Sequence, residues 1–493
     1  MPELIVRKWD GPYSFMIFRE GGLYKARRGD NGSIQFQDPQ LHEVLNDVWN
    51  ALTPNRAWKE RVVFKGNFTV SDSIKPPSYV TIIIDGKLTL ENGANSLVIE
   101  IDGVHDVDIY NGIIDGNRDN QTAWTIPPVR TRNAYNIRIS GLKVVNGRYD
   151  GICIHSGSQK VWIESCETYN CGYSGICVKR DATDVLIDKC ISHDNDADGA
   201  AGTGYGITVE GFDTDYPSRV KIRGCICYDN AATGIHIEDH LTNYSIENCI
   251  SHSNGDHGVW VATGSDYGVI SDLETYNNNK HGLFIYGCEG VTIKNVVAYN
   301  NGQESPGSYD GVLIQGRDSA DITENVVLSN VVALDNQASP TQRHGINISA
   351  PYCANVAISN VVARGNLQYG VNQGNGVTKV SISGGIIFEN GRHGIVVVGN
   401  GDACISGLYI RDNSQESNQA YSGIFINNAI RVTVIGCVIW GSSQKYGIEE
   451  AGTSNSNVFI GNMLWGNGVG ALSVVGASTL YRTATDNDPL NLV

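Results

Sequence analysis

The stretch Ser251–Val261, "SHSNGDHGVWV", has close relatives along the chain: "CYDNAATGIHI" at 227–237, "TYNNNKHGLFI" at 275–285 and "VARGNLQYGVNQ" at 362–373. Each runs from Asn to Gly to an apolar, variable, apolar triplet. Aligned on the Gly before the triplet, the copies fall at Gly151, Gly175, Gly206, Gly234, Gly258, Gly282, Gly311, Gly345, Gly370, Gly394, Gly423 and Gly447. The commonest spacing is 24 residues, with longer steps of 25 to 34 between some copies. Inside a copy the apolar letters alternate with period two, so each repeat holds short strands rather than helices. Asn stands four residues before the Gly in the compact copies, at Asn230, Asn254, Asn278, Asn366 and Asn390. Asn tolerates left-handed backbone and bonds its own turn, and stacked copies can extend that bonding as a ladder.

Short parallel strands repeating every 24 residues predict an all-β chain wound as a parallel β-helix, about three strands to a rung and rungs about 4.8 Å apart. One rung cannot bury its apolar face alone, so the stack is cooperative. Leucine-rich repeats would need an LxxLxL line, and propeller blades need about 40 or more residues. The boundaries read as an N-terminal strand and helix cap over 1–60, the β-helix over 61–470 and a C-terminal cap or tail over 471–493. In "DPQLHEVLNDVWNAL", Asp38 can cap a helix that starts at Pro39, and Leu41, Val44, Leu45, Val48, Trp49 and Leu52 fall on one face. That helix would cover the first rung, whose strand edges need protection.

The chain has 493 residues, 57 of them Gly, with a net charge of −16 and only 18% charged residues. Such a charge repels nucleic-acid phosphates, so nucleic acid is not an expected partner. It also disfavours strongly anionic glycans unless a cation bridges them. No apolar run approaches the roughly 18 to 20 residues of a membrane span, and no secretory leader is visible at "MPELIVRKWDGPYSF". Of the 12 Cys, Cys166, Cys190, Cys225 and Cys249 share a column with Leu273, Val296, Val331 and Val361, which marks them as buried small hydrophobes.

The repeat resembles the right-handed parallel β-helix proteins of the pectate-lyase-like superfamily over roughly residues 60 to 470. That superfamily includes polysaccharide lyases, glycoside hydrolases, uronan epimerases and viral tailspikes, so the resemblance implies a fold and leaves the reaction open. It implies a polysaccharide partner, an extracellular or virion-associated setting, and a monomer or homotrimer.

Insertions point to the working face. "DADGAAGTGY" (196–205), "GFDTDYPSR" (211–219), "GQESPGSYD" (302–310) and "QASPTQRH" (337–344) all flank one strand column and would wall a groove. Two and four residues after each Gly, side chains are expected to point outward. Those columns, with the residue before Gly, collect Asp150, His155, Lys179, Tyr205, Glu210, His236, Glu238, His257, Trp260, Phe284 and Tyr286. Acid and base groups beside aromatic rings suit carbohydrate chemistry. Glu210 and Glu238, one copy apart, are candidates for the acid/base and nucleophile of a glycoside hydrolase, the favoured activity, with Asp213 as a more distant partner. The rival chemistry is a lyase or epimerase, in which His155 removes the proton beside a uronate carboxyl that Lys179 and Arg180 neutralise. Mannuronan epimerases carry a Tyr-x-x-Asp-Pro-His line. Here "YDGICIH" has a Tyr, Tyr149, and the His, His155, but Cys153 stands two residues before the His, where the Asp belongs, and Lys179 where a second Asp would fall, which counts against epimerisation. A third class is a tailspike or adhesin that binds glycans without cleaving them.

No cofactor is required by these readings. "DNDADG" places Asp194, Asp196 and Asp198 as in the start of a calcium loop, although Tyr205 stands where the closing Glu belongs. Cys153 and Cys177 share a column on adjacent copies, near His155 and His236, where a soft-metal site or a disulfide is conceivable.

Overall fold

The computed structural model describes residues 12–123, 125–196, 203–349, 351–399, 402–481 and 491–492. It divides into two compact units, Met1–His236 with Asn243–Ser245, and Ile237–Thr242 with Ile246–Val493.

In the first unit the chain begins as an antiparallel meander of Phe15–Glu20, Leu23–Arg28 and Ile34–Asp38. Phe15–Glu20 also pairs in parallel with Glu60–Val70, which joins the meander to the coil. The helix spans Leu41–Ala51 and packs on the last two meander strands, burying Leu41, Val44, Leu45 and Val48. It starts two residues later than the sequence suggests. Asp38 ends a strand, and its carboxylate accepts from Gln40 N at 2.8 Å, so it closes a local turn instead of capping. Gln40 is the N-cap, without a side-chain bond, and Trp49 is only half-buried beside a cleft shared with residues 70–75.

From Glu60 onward the strands described in this unit pair in parallel, the antiparallel Phe212–Asp215 bridge lying in a loop. Glu60–Val70 and Val80–Leu90 match residue for residue over their whole length. Later rungs split into two strands around a left-handed corner, as in Gln159–Glu164 and Glu167–Tyr169 about Ser165. A second parallel sheet stacks Ile99–Asp102, Val129–Arg132, Ile152–Ile154, Ser174–Lys179 and Tyr205–Glu210 in that order. Period-two alternation places Ile152, Ile154, Ile176, Val178, Ile207 and Val209 in the core, all fully buried. Cys166, Cys190 and Cys225 are free thiols in that core, as their interchange with Leu and Val predicts.

The second unit repeats the plan. One sheet stacks Val259–Ala262, Leu283–Tyr286, Val312–Gln315, Ile346–Ser349, Val371–Gln373, Ile395–Val398, Ile424–Asn427, Tyr446–Ala451 and Gly470–Ser473. The other carries the long strands Val269–Tyr276, Thr292–Tyr299, Thr323–Leu334, Cys353–Arg364, Thr378–Phe388 and Ala403–Arg411.

The Asn ladder forms, and it explains why Asn and Gly recur together. Asn254 Nδ2 donates to Asn278 Oδ1, Asn278 to Asn301, Asn366 to Asn390 and Asn390 to Asn413, at 2.8–3.0 Å and almost fully buried. Each Oδ1 also accepts the backbone N–H of the preceding ladder residue, as Asn278 does from Asn254 N at 3.1 Å. At Gly258 a Cβ would sit 2.6 Å from Gly282 O and 2.7 Å from Asn278 Nδ2, so the ladder and the next rung leave no room for a side chain. In the first unit the same bond joins Asn195 to Asn230 at 2.8 Å. Two ladder members are glutamines: Gln342 receives Asn301 and passes to Asn366, and Gln444 receives Asn413 and passes to Asn467. No helix among the described residues is long and apolar enough to cross a membrane.

Candidate active site

The second sheet of the first unit carries a cavity of about 380 Å³ on its outer side, within the range of small-molecule sites. Parallel register builds it: Cys153 lies opposite Cys177 and Lys179 opposite Glu210, so residues 24 to 31 apart in sequence become neighbours. Its lining includes Arg130, Tyr149, Asp150, Cys153, His155, Lys179, Arg180, Glu210 and Phe212.

Lys179 is the hub. Its ammonium lies 2.8 Å from Glu210 Oε1 and 3.2 Å from Asp150 Oδ2, and 4.4 and 4.6 Å from the ring centroids of Tyr149 and Tyr173. Tyr173 donates its hydroxyl to Glu210 Oε2 at 2.9 Å. Burial opposes the lysine's charge, but the Asp150 carboxylate, with Glu210 beyond it, holds the ammonium above the usual lysine range. Burial pushes the Asp150 carboxyl up to about 6 and the Tyr149 phenol up to about 12. His155 is pushed down to about 4, first by burial and then by Arg180, Arg130 and Lys179. Its imidazole is therefore neutral at neutral pH. Nδ1 is engaged with Ser156 Oγ at 2.9 Å, so a proton from a substrate would go to Nε2.

The insertion at 211–219 walls this cavity as expected. Phe212 and Asp215 exchange two backbone bonds of 3.0 Å, and the Arg180 guanidinium sits 4.4 Å over the Phe212 ring and 3.7 Å from Asp215. Arg130 is tied to Glu100 at 2.6 Å. The cavity brings Arg130, Lys179 and Arg180 together with the carboxylates of Asp150 and Glu210, so it is richer in cations than the protein's net negative charge implies.

Several sequence expectations are corrected by the geometry. The first members of the column two residues after Gly are covered on their outer side, Cys153, Cys177, Thr208 and His236 being at most 2% exposed, whereas Trp260 and Phe284 are half-buried. Tyr149 stacks on Tyr173 at 4.7 Å, Tyr173 meets Tyr205 edge-on at 5.7 Å, and Tyr205 stacks on His236 at 4.8 Å, so a row of rings adjoins that face. His236 and Tyr205 are not among the residues that line the cavity. Asp213 is an exposed turn residue with left-handed backbone and is also outside the lining.

Glu238 belongs to the second unit, as do His257, Trp260, Phe284 and Tyr286. There Trp260 lies parallel to Phe284 at 6.0 Å, Phe284 touches Tyr286 at 5.2 Å, and buried His257 stacks on His281 and accepts its N–H through Nδ1. Of the suggested calcium loop, Asp194 pairs with His193 at 2.5 Å and Asp196 is exposed; Asp198 lies outside the described residues. The residues that the repeat reading missed are Arg130, Tyr173 and Phe212. Tyr173 carried a signal, since it and Tyr149 both stand two residues before an aligned Gly.

The profile of the family described as "Right handed beta helix region" matches residues 97–279, 242–407 and 281–485. The chain belongs to that family. The gene product 12 of bacteriophage phi29, in its pre-mature form, is 15% identical over 85% of this chain and 69% of that one, with a TM-score of 0.52. The A-module of the mannuronan C-5 epimerase AlgE4 from Azotobacter vinelandii is 16% identical over 86% and 91% of the two chains, with a TM-score of 0.34. PfbA, a surface adhesin of Streptococcus pneumoniae, is 13% identical over 83% and 88%, with a TM-score of 0.44. No curated protein matches the sequence. These likenesses concern the right-handed β-helix itself.

Proposed function

We propose that the protein is a carbohydrate-active enzyme that removes the proton beside the carboxylate of a uronate residue in a polysaccharide, as lyases and epimerases do. The observation that carries this reading is the neutral His155 in a cavity shared with Lys179, Arg180 and Arg130. Proton abstraction next to a carboxylate needs a base that is free at working pH and cations that draw charge onto the carboxylate. His155 is the base. Arg180 binds the carboxylate, and Lys179, held in place by Asp150 and Glu210, supplies positive charge beside it. Tyr149, which keeps its proton at neutral pH and lies 3.5 Å from Lys179, is the donor for a leaving oxygen.

Hydrolysis by Glu210 with Glu238 is less well supported. Glu210 spends one oxygen on Lys179 and the other on Tyr173, so a nucleophilic or acid role would first have to break both contacts.

The test is a panel of neutral and acidic polysaccharides, read for unsaturated-uronate absorbance, for reducing ends and for solvent deuterium at the carbon beside the carboxylate. Absorbance or deuterium on a polyuronate is expected, reduced at least about a hundredfold by His155→Gln. Reducing ends without either signal would replace this reading by hydrolysis, and binding without any product would replace it by a glycan receptor.

A further inference from the structure

In the parallel register, Cys153 and Cys177 are directly opposed, and Asp150 is the residue before Gly151 that opens the first of their strands. A carboxylate oxygen and the two sulfurs lie within 4.8 Å of one another, with Asp150 1%, Cys153 2% and Cys177 0% exposed. All the Cys are free thiols. Asp150 Oδ2 takes Lys179, but Oδ1 is buried without an N–H or O–H donor, the Cys153 thiol being the one weak donor beside the carboxylate. An unsatisfied buried carboxylate oxygen is costly and calls for an explanation. The next rung shows what the position ordinarily does. Ser174, the counterpart of Asp150, shares a 2.8 Å hydroxyl bond with Thr208, the counterpart of Cys177. Where that rung has two hydroxyls that satisfy each other, this one has a carboxylate facing thiols, which are weak donors.

We propose that Asp150, Cys153 and Cys177 form a site for a thiophilic dication of the zinc class, with its fourth position open to the cavity that Asp150 and Cys153 line. Two sulfurs and a carboxylate select a soft or borderline metal over calcium or magnesium. Tetrahedral coordination at ordinary bond lengths sets ligand atoms about 3.5–3.8 Å apart, so small side-chain rotations close the site. Charge balances. Each thiol releases a proton to solvent as its sulfur bonds the metal, and the resulting two thiolates with the carboxylate face the dication and the Lys179 ammonium. No oxidation is involved, and the site does not rest on the proposed elimination chemistry.

The reduced full-length protein, titrated anaerobically with cobalt(II) as the optical probe, is expected to take up one equivalent. A thiolate-to-cobalt charge-transfer band should appear, with two protons released, and zinc should displace the cobalt. Cys153→Ser and Cys177→Ser should each abolish the band and Asp150→Asn should weaken binding at least tenfold, while Cys404→Ser, which alters an exposed thiol, should change nothing. Should the buried substitutions impair folding, the wild-type proton count and a zinc-dependent rise in Tm decide the matter. Absence of the band in the wild type, its survival in both serine variants, or a Cys153–Cys177 disulfide in the native protein would overturn the site.

Discussion

Lys179 Nζ lies 2.8 Å from Glu210 Oε1, across two strands whose register sets these residues directly opposite each other. The pair is not the exposed ion ladder that stacked charges usually make. Lys179 is 8% exposed, and two tyrosine rings lie within 4.6 Å of its ammonium. A buried ammonium of this kind organises the groups around it, because Asp150, Glu210, Tyr149 and Tyr173 all meet it or its partner.

Removing that ammonium leaves two poorly solvated carboxylates side by side. Lys179→Met is expected to destabilise the protein by about 3 kcal/mol, the ordinary cost of orphaning one side of a buried pair. Adding Glu210→Gln should recover part of the loss. Urea unfolding midpoints of the single and double variants check both statements.

The pH profile of turnover on a uronate polymer separates His155 from an ordinary imidazole. With the folded value near 4, His155 is deprotonated and active as a base above that pH, and its own limb of kcat/KM should appear as the pH drops through about 4, below the limb that protonation of Asp150 near 6 adds by loosening Lys179. An unperturbed histidine would produce the same limb near 6.5. Arg180→Met, which removes a lowering influence, should move the limb upward.

A set of buried imidazoles in the second unit is expected to make stability pH-dependent. His281 Nδ1 accepts Asp310 N at 2.8 Å, His344 accepts Tyr369 N at 3.3 Å and His393 accepts Ser422 N at 2.9 Å. Protonation of Nδ1 would break each bond. Burial lowers them to about 4, about 4 and about 3. Above the unfolded value of about 6.5 both states are neutral and stability is complete. Below it the unfolded chain takes up protons that the folded chain refuses, so stability should fall as pH drops from about 6.5 towards 4. Denaturation midpoints measured across that interval should decline steadily, and His393→Gln should flatten the decline.

The two kinds of asparagine column should respond differently to substitution. Asn278→Ala strips the acceptor from Asn254 N and Nδ2 inside the core and should cost about 3 kcal/mol. Asn330, at an exposed left-handed corner where its amide bonds Asn295, should accept Gly within about 0.5 kcal/mol. Thermal unfolding of the two variants gives the comparison.

Much of the coil was legible because Gly258, Asn254 and Val259 each obey a constraint that repeats: close backbone approach, amide stacking and period-two burial. Gln342 and Gln444 were missed as ladder members because each stands three residues before its Gly instead of four, and spacing was the only marker available. Within the cavity, His155, Lys179, Arg180 and Glu210 stood out as charges in repeat columns. Arg130 precedes the first aligned Gly, so no repeat flagged it. Phe212 comes from an insertion, whose fold depends on a local Phe212–Asp215 bridge rather than on periodicity. The outward column at Cys153 and His236 is more buried than its direction implies for a further reason: alternation tells which side of a strand a residue takes, but not that rings from neighbouring turns will lie over that side.

Gln342 carries a practical lesson. It lies inside the insertion at 337–344, where one additional methylene lets the amide still reach Asn301 and Asn366, and the stack goes on as though uninterrupted. Surface excursions can therefore be exchanged or lengthened at such junctions while the spine stays fixed, so a new recognition segment could be grafted there without redesigning the scaffold beneath.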